Sequence, residues 1–308
     1  TLYHGIEKGA GGVINKLVIF GVGLIGGSLG LALRQANYCK QIVGCGRNAE
    51  QLQKAVDLGA IDSFSLDATI AVQDADVVLL AVPMGAMPAV LEQIKEALPA
   101  NCILTDAGST KGSIVDQVTA IMGADYQQFV PGHPVAGREK SGVEAAVADL
   151  YQGRRVILTP TEHTNRQALA TVAGMWEVTG ALVEQMPVAM HDQVLAATSH
   201  LPHVLAFSLV DTLLNMPQQE DILRYAAGGF RDFTRIASSD PVMWRDICLY
   251  NDQAILDMIQ ALQTNLAEFA TLIREHNGNA LHQRMTKAKQ ARDNYIARFE
   301  PPKSVGQH

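Results

Sequence analysis

Leu17-Val18-Ile19-Phe20-Gly21-Val22-Gly23-Leu24-Ile25-Gly26 decides the fold. Four apolar residues with no polar alternation predict a strand buried on both faces. Gly21-x-Gly23-x-x-Gly26 then turns the chain into a helix that begins Gly27-Ser28-Leu29-Gly30-Leu31-Ala32-Leu33. In such a turn the first glycine makes the bend and the second lets a pyrophosphate approach the backbone. The third lets helix and strand pack closely. The first N–H groups of the helix and its positive dipole end face the phosphates. A second strand over residues 41–45 completes the unit. The order strand, turn, helix, strand predicts dinucleotide binding, with Gly21, Gly23, Leu24, Ile25 and Gly26 at the cofactor.

The end of the second strand bears on which dinucleotide. An acidic residue there accepts hydrogen bonds from the ribose 2′-OH of NAD. Here the position holds Gly46, followed by Arg47. No carboxylate repels a 2′-phosphate, and a guanidinium is available to pair with one. The sequence therefore predicts that NADP is accepted as well as, or in preference to, NAD. In the alternative, Arg47 is solvated or stacks on adenine and NAD binds adequately.

Outward from this unit, strand and helix patterns alternate. Strands are predicted over 77–82, 102–106, 129–130, 155–159 and 181–184, and helices over 87–98 and 166–177. Val82 and Pro83, closing the first of these strands, join the cofactor-binding set. The pattern is α/β, a Rossmann-type doubly wound sheet that binds ligands at the carboxyl ends of its strands. After Met186 strand patterns stop. A helix is predicted from Pro241 to about Glu275, with Ser239-Asp240 before it. Its apolar residues Ile255, Met258, Ile259, Leu262, Leu266, Phe269, Leu272 and Ile273 recur at spacings of three and four. So long an amphipathic helix predicts either a dimer interface or packing within the monomer. The expected organisation is a flexible lead-in over 1–14 and a dinucleotide-binding domain over 15–187. An all-helical domain over 188–297 and a tail or linker stub over 298–308 follow.

Composition narrows the classes. The chain has 308 residues, 48% of them hydrophobic, and a net charge of −7. That acidic balance offers no basic face of the kind nucleic acid requires. No uninterrupted apolar run reaches the roughly 18 residues of a membrane span, and no apolar leader is visible. Cys39, Cys45, Cys102 and Cys248 are scattered, without a C-x-x-C, which predicts free thiols and a cytoplasmic location.

The most informative loop is Gly132-His133-Pro134-Val135-Ala136-Gly137. Pro134 pushes His133 toward an extended conformation, and Gly132 and Gly137 are expected to hold the loop open. The imidazole, presented by backbone constraint, is a candidate proton acceptor near neutral pH. A turn-capping histidine is the alternative. Asp106-Ala107-Gly108-Ser109-Thr110-Lys111 sits at another strand end on the same edge. His200 and His203 are three apart and share a helix face, with no third metal ligand at suitable spacing, so no metal is expected.

Taken in order, the glycine turn, the Asp106–Lys111 segment, the His133 loop, Ser199-His200-Leu201-Pro202-His203 and Phe230-Arg231-Asp232-Phe233-Thr234-Arg235 resemble one family. It is the prephenate/arogenate (cyclohexadienyl) dehydrogenase family of tyrosine biosynthesis. The resemblance runs over nearly the whole chain. It implies a Rossmann-type domain, a helical domain that dimerises, and oxidative decarboxylation of prephenate, arogenate or both. It further implies His133 as general base, with Ser109 orienting the hydroxyl. Arg235 would hold the ring carboxylate and His203 the substrate side chain, with His200 beside it. His191 matches a family histidine near the site. Arg231 reads as a second clamp or as the ion-pair partner of Asp232 or Asp192. Arg138 departs from the small polar residue common in relatives, and faces the substrate side chain, the cofactor phosphates or solvent. Feedback inhibition by tyrosine is also implied. The other readings are a 3-hydroxyacid or imine dehydrogenase, which needs a lysine or aspartate motif in the helical part, and a non-catalytic nicotinamide-sensing module.

Overall fold

A computed structural model describes residues 13–138, 140–217 and 224–299. The expected lead-in and tail fall mostly outside these residues. Where they are described, the first strand starts at Ile14 and the last helix runs to Phe299.

The first strand, β1 (Ile14–Phe20), carries the apolar run, and its alternation explains why no polar residue interrupts it. Leu17 and Ile19 join one core cluster and Val18 and Phe20 another, on the two faces of the sheet. The turn leads into α1 (Leu24–Gln35), and β2 (Cys39–Cys45) returns beside β1. The chain continues through α2 (Ala49–Asp57), β3 (Ser63–Ser65), α3 (Ala68–Ala71), β4 (Val77–Leu80), α4 (Met87–Ile94), β5 (Ile103–Asp106), α5 (Gly112–Met122) and β6 (Phe129–Val130). These strands form one parallel sheet in the order β3-β2-β1-β4-β5-β6. The order reverses between β1 and β4, the switch point that opens a crevice at the strand ends.

The later strands do not extend this sheet as the sequence pattern suggested. Pro131 has no N–H to continue a ladder. The chain leaves the sheet there and enters a separate three-stranded one, in the order β7 (Gly132–Pro134), β8 (Arg155–Leu158), β9 (Leu182–Gln185). β7 runs antiparallel to β8, and β9 parallel to it. Between β8 and β9 lies α6 (Arg166–Glu177), whose Val172 and Trp176 bury against the same cluster as Val156 and Leu158.

Helices follow. α7 (Val188–Leu195) passes through a π-helical turn, Ala196–His200, into α8 (Leu201–Leu214). Pro202, which cannot donate the ordinary helical bond, accounts for the widened turn before it. The whole stretch, Val188–Leu214, is long and apolar enough by length and composition to cross a membrane. The sequence expectation, based on uninterrupted runs, missed this. Yet its His191 and Asp192 bond to β7 and the start of α5, so the beginning of this stretch packs into the protein. Then come α9 (Gly228–Thr234) and α10 (Pro241–Tyr250), capped by Asp240, whose carboxylate accepts from the N–H groups of Val242 and Met243.

The long helix predicted from Pro241 to about Glu275 is two. Asn251 takes φ −129° and ψ 37° and separates α10 from α11 (Asp252–Arg274). The amphipathic period continues across the break, so the pattern alone does not reveal it. The last helix is α12 (Gly278–Phe299). Contacts divide the described chain after Ile255. In the second unit Arg284 pairs with Glu268 at 2.7 Å and lies 4.8 Å from the centre of the Phe269 ring.

Candidate active site

The glycine turn has the geometry its sequence requires. Gly21 has φ +90°, and a Cβ there would lie 2.5 Å from the Ala81 carbonyl oxygen. A Cβ on Gly26 would collide with the Gly21 carbonyl oxygen at 2.4 Å. A Cβ on Gly23 meets nothing within 4 Å, so the middle of the turn opens onto free space. Gly23 caps α1 without a side chain to bond its first N–H groups. This combination fits a dinucleotide pyrophosphate. Leu24 and Ile25 form the first turn of α1, and the Ile25 carbonyl accepts from the Tyr151 hydroxyl at 2.6 Å. Val82 is half-buried and Pro83 exposed just beyond β4, while Arg47 is exposed after β2.

At the next strand end the chain builds a dry polar knot. Asp106, Thr110 and Lys111 are fully buried. The Lys111 ammonium bonds the Asp106 carboxylate and donates to the Gly132 carbonyl at 2.7 Å. Asp106 also accepts from the N–H groups of Gly108 (2.7 Å) and Gly132 (3.1 Å). This pair ties the end of β5 to the start of β7, where a Cβ on residue 132 would sit 2.9 Å from the Asp106 carbonyl. Burial pushes the Lys111 ammonium down from its usual range while Asp106 pulls it up, and burial prevails.

His133 is therefore set on a strand, not in the open loop expected from its glycines. It pairs with Ile157 of β8, and neither Gly132 nor Gly137 takes a positive φ. The extended conformation that Pro134 favours is the one a strand needs. The imidazole is 8% exposed. Its Nδ1 lies 2.8 Å from Nε2 of His191, a fully buried residue of α7, and the rings meet edge to face. Burial drives the His133 pKa well below its ordinary value of 6.5, and His191, Lys111 and His200 add to the effect. Near neutral pH this imidazole is an uncharged proton acceptor. Ser109 is half-buried in the turn between Asp106 and Lys111.

Three further residues hold this arrangement, among them Asp192, which the sequence offered as a partner for Arg231 and which instead binds His191 and the start of α5. Asp192 receives His191 Nδ1 at 2.8 Å, and its two oxygens accept from the N–H groups of Lys111 (2.8 Å) and Gly112 (2.7 Å) at the start of α5. Burial raises its pKa, but those bonds outweigh burial and leave it below the usual carboxylate value. Asn251, at the break before α11, donates from Nδ2 to the Asp192 carbonyl and to His200 Nδ1, both at 3.0 Å. Trp244 of α10 stacks on His203, with centroids 3.7 Å apart and planes 18° from parallel. The adjacency His191-Asp192 was the one available sequence signal. Asn251 and Trp244 gave none.

His200 is buried, and burial carries its pKa down to about 4. His203 is half-buried and donates from Nδ1 to the Ser199 carbonyl at 2.9 Å. Burial lowers its pKa, and the charge of Arg235 lowers it further, which brings Arg235 into the same neighbourhood. Arg235 opens a short 3₁₀ turn after α9 and is exposed, as is Arg231. Arg138, also exposed, reaches the Ala145 carbonyl at 3.5 Å.

Known proteins share this construction. Residues 29–185 match the family model for the prephenate dehydrogenase nucleotide-binding domain, and residues 187–287 match the prephenate dehydrogenase dimerization domain. The chain is 37% identical over 286 residues to the cyclohexadienyl dehydrogenase of Zymomonas mobilis, covering 91% of this chain and 96% of that one. The structure of prephenate dehydrogenase from A. aeolicus, in complex with hydroxyphenyl propionate and NAD+, is similar at 39% identity and a TM-score of 0.85. It covers 91% of this chain and 98% of its own. Synechocystis arogenate dehydrogenase is similar at 28% identity and a TM-score of 0.78, over 91% of this chain and 100% of its own. With both domain models matched in order, the chain belongs to the prephenate dehydrogenase family.

Proposed function

We propose that this prephenate dehydrogenase-type oxidoreductase oxidises and decarboxylates prephenate or arogenate with His133 as its base. The single observation that supports the role is a buried, uncharged imidazole at the sheet edge, with one nitrogen engaged by His191. The substrate ring carries a hydroxyl and a hydrogen on one carbon and a carboxylate opposite. A nicotinamide dinucleotide held at Gly21, Gly23, Leu24, Ile25 and Gly26, and reaching Val82 and Pro83, supplies the hydride acceptor. His133 takes the hydroxyl proton as the hydride leaves. The ring carboxylate then departs as CO₂ and its electrons complete the aromatic ring. His133 returns the proton to the ring oxygen, so the proton is borrowed and not consumed. Ser109 orients the hydroxyl. Arg235 holds the ring carboxylate by charge and shape. His203, on Trp244, faces the substrate side chain, with His200 beneath it and Arg138 at the rim.

NAD+ is the cofactor we assign first, because the similar A. aeolicus enzyme is described with it. The exposed Arg47 after Gly46 extends the assignment to NADP+. The helical part from about residue 187 pairs two copies. In the second unit Leu256, Leu266 and Ile273 are each more than half exposed, an apolar surface that a second copy covers. Four free cysteines suit a cytoplasmic enzyme, and tyrosine, which shares the substrate's ring, is the expected feedback inhibitor. The test is nicotinamide reduction with prephenate and arogenate, each with NAD+ and NADP+. Reduction is expected with at least one diacid, and its pattern reads the side-chain preference and the role of Arg47. No reduction in all four would sink the reading.

A further inference from the structure

We infer that Asp192, acting through His191, is a positioning residue that fixes the tautomer of His133 and leaves its Nε2 as the free proton acceptor. The inference deepens the reading of His133 as base and rests on it.

The argument is a count of protons along one chain of hydrogen bonds. Asp192 is ionised, so it only accepts. It already receives the N–H groups of Lys111 and Gly112, and no proton is left on it to offer His191. His191 Nδ1, 2.8 Å away, must therefore be the donor. Burial keeps His191 uncharged, so it carries one ring proton and its Nε2 is bare. That bare Nε2 faces His133 Nδ1 at 2.8 Å. The contact is a hydrogen bond only if His133 Nδ1 carries the proton. An uncharged His133 then has nothing on Nε2. Every step is forced by the one before it, and the carboxylate fifty-nine residues along the chain decides the end result.

The groups facing His133 agree. His191 comes from α7, His200 from the π-helical turn and Lys111 from the N-cap of α5, with Asp106 at the end of β5 holding Lys111. His200 accepts at Nδ1 from Asn251, so its own proton is on Nε2. The same Asn251 grips the Asp192 carbonyl and keeps α7 seated. When His133 takes a proton at Nε2, its Nδ1–H bond strengthens and the new positive charge lies in line with His191 and the Asp192 carboxylate. This is the logic by which a buried aspartate orients a triad histidine, where the wrong tautomer costs up to about 10⁴-fold in turnover.

Two variants separate this role from support of the fold. His191→Phe removes the acceptor but leaves Asp192 on the first N–H groups of α5. His191→Gln puts an amide oxygen within reach of His133 Nδ1. The readouts are kcat, KM and histidine ring ¹⁵N NMR of the full chain near neutral pH, with the His133 signals assigned by their loss in His133→Asn. The expected wild-type spectrum has His133 protonated on Nδ1 and bare on Nε2. In His191→Phe the proton moves to Nε2 and kcat falls at least about tenfold, toward the triad limit, with KM within about threefold. His191→Gln recovers the tautomer and part of kcat. Asp192→Ala shifts the tautomer as His191→Phe does and also loses stability at α5. A wild-type spectrum with Nε2 protonated, or His191→Phe with unchanged tautomer and kcat, overturns the inference. Near-normal turnover in His133→Asn instead overturns the base assignment, and the spectrum still reports whether Asp192 sets the tautomer.

Discussion

The Asp106–Lys111–His133–His191–Asp192 knot and the segment bearing Arg231 and Arg235 differ in almost every physical respect. The first is dry: Asp106, Lys111 and His191 have no exposed surface, and each has at least two polar partners or one charged one. The second is exposed, on a seven-residue helix and a 3₁₀ turn with no buried residue. In a low-dielectric interior a proton acceptor can be aimed and kept uncharged before substrate arrives, because burial penalises the charged form. A cation that must capture a carboxylate from water gains nothing by being buried alone, since an unpaired interior charge is costly. With the roles proposed above, the comparison teaches that proton chemistry is set by the fold, whereas the grip on the ring carboxylate is completed by the substrate.

The sharpest way to break that contrast is at the dry end. His133→Asn keeps a polar side chain of similar reach but cannot take the proton. A positioned base is worth about 10²–10⁴-fold, so kcat should fall by that range while KM changes little. Steady-state kinetics with saturating cofactor would decide it. A fall in affinity with turnover retained would move His133 to the recognition side of the comparison.

Acid is the next probe, because it acts on the knot and spares the arginines. His133, His191 and His200 all have native pKa values below 6.5, and that of His200 is about 4. Above pH 6.5 neither the native nor the unfolded chain protonates them, and stability is at its full value. Below pH 6.5 the unfolded chain takes up protons that the native one refuses, so stability falls as pH drops toward the native values. Each such histidine contributes up to about 1.4 kcal/mol per pH unit, so the three together give up to about 4 kcal/mol per unit. Denaturant unfolding at pH 7 and at pH 5.5 measures this. A flat profile would mean that the histidines charge freely and the interior is wet.

How much of this was legible in the chain follows the same division. The β1 turn and α1 were readable because one local pattern carries them: an unalternated apolar run, then glycines that backbone collisions demand at Gly21 and Gly26. The second sheet was not readable. Phe129-Val130 and Gly132-His133-Pro134 are contiguous, and only Pro131 and the antiparallel pairing to β8 assign them to different sheets. His133 was found through its flanking residues, although the strand it occupies was expected to be a loop. Its partners escaped because tertiary docking creates them. His191 lies 58 residues from His133 in sequence, and Asn251 lies 59 from Asp192. Nothing in the helical period around Tyr250 announces that Asn251 breaks it.

The smallest expected effect belongs to the exposed side. Arg235→Gln leaves a donor in place but removes the charge and the fork that matches a carboxylate. A hydrogen bond to a charged group contributes about 1.5–3 kcal/mol, which is roughly a 10- to 150-fold rise in KM. Turnover at saturation should change less, because in the proposed mechanism Arg235 binds the ring carboxylate whereas His133 takes the proton. The His203 imidazole supplies an independent check. Arg235 helps hold its pKa down, so in Arg235→Gln that value should rise while those of His133 and His191, whose shifts have other causes, stay where they are. Histidine NMR titration of the two proteins measures all three. If the loss of one exposed charge instead moved His133, the two regions would be electrostatically one, and the division between a fold-set base and a substrate-completed clamp would have to be given up.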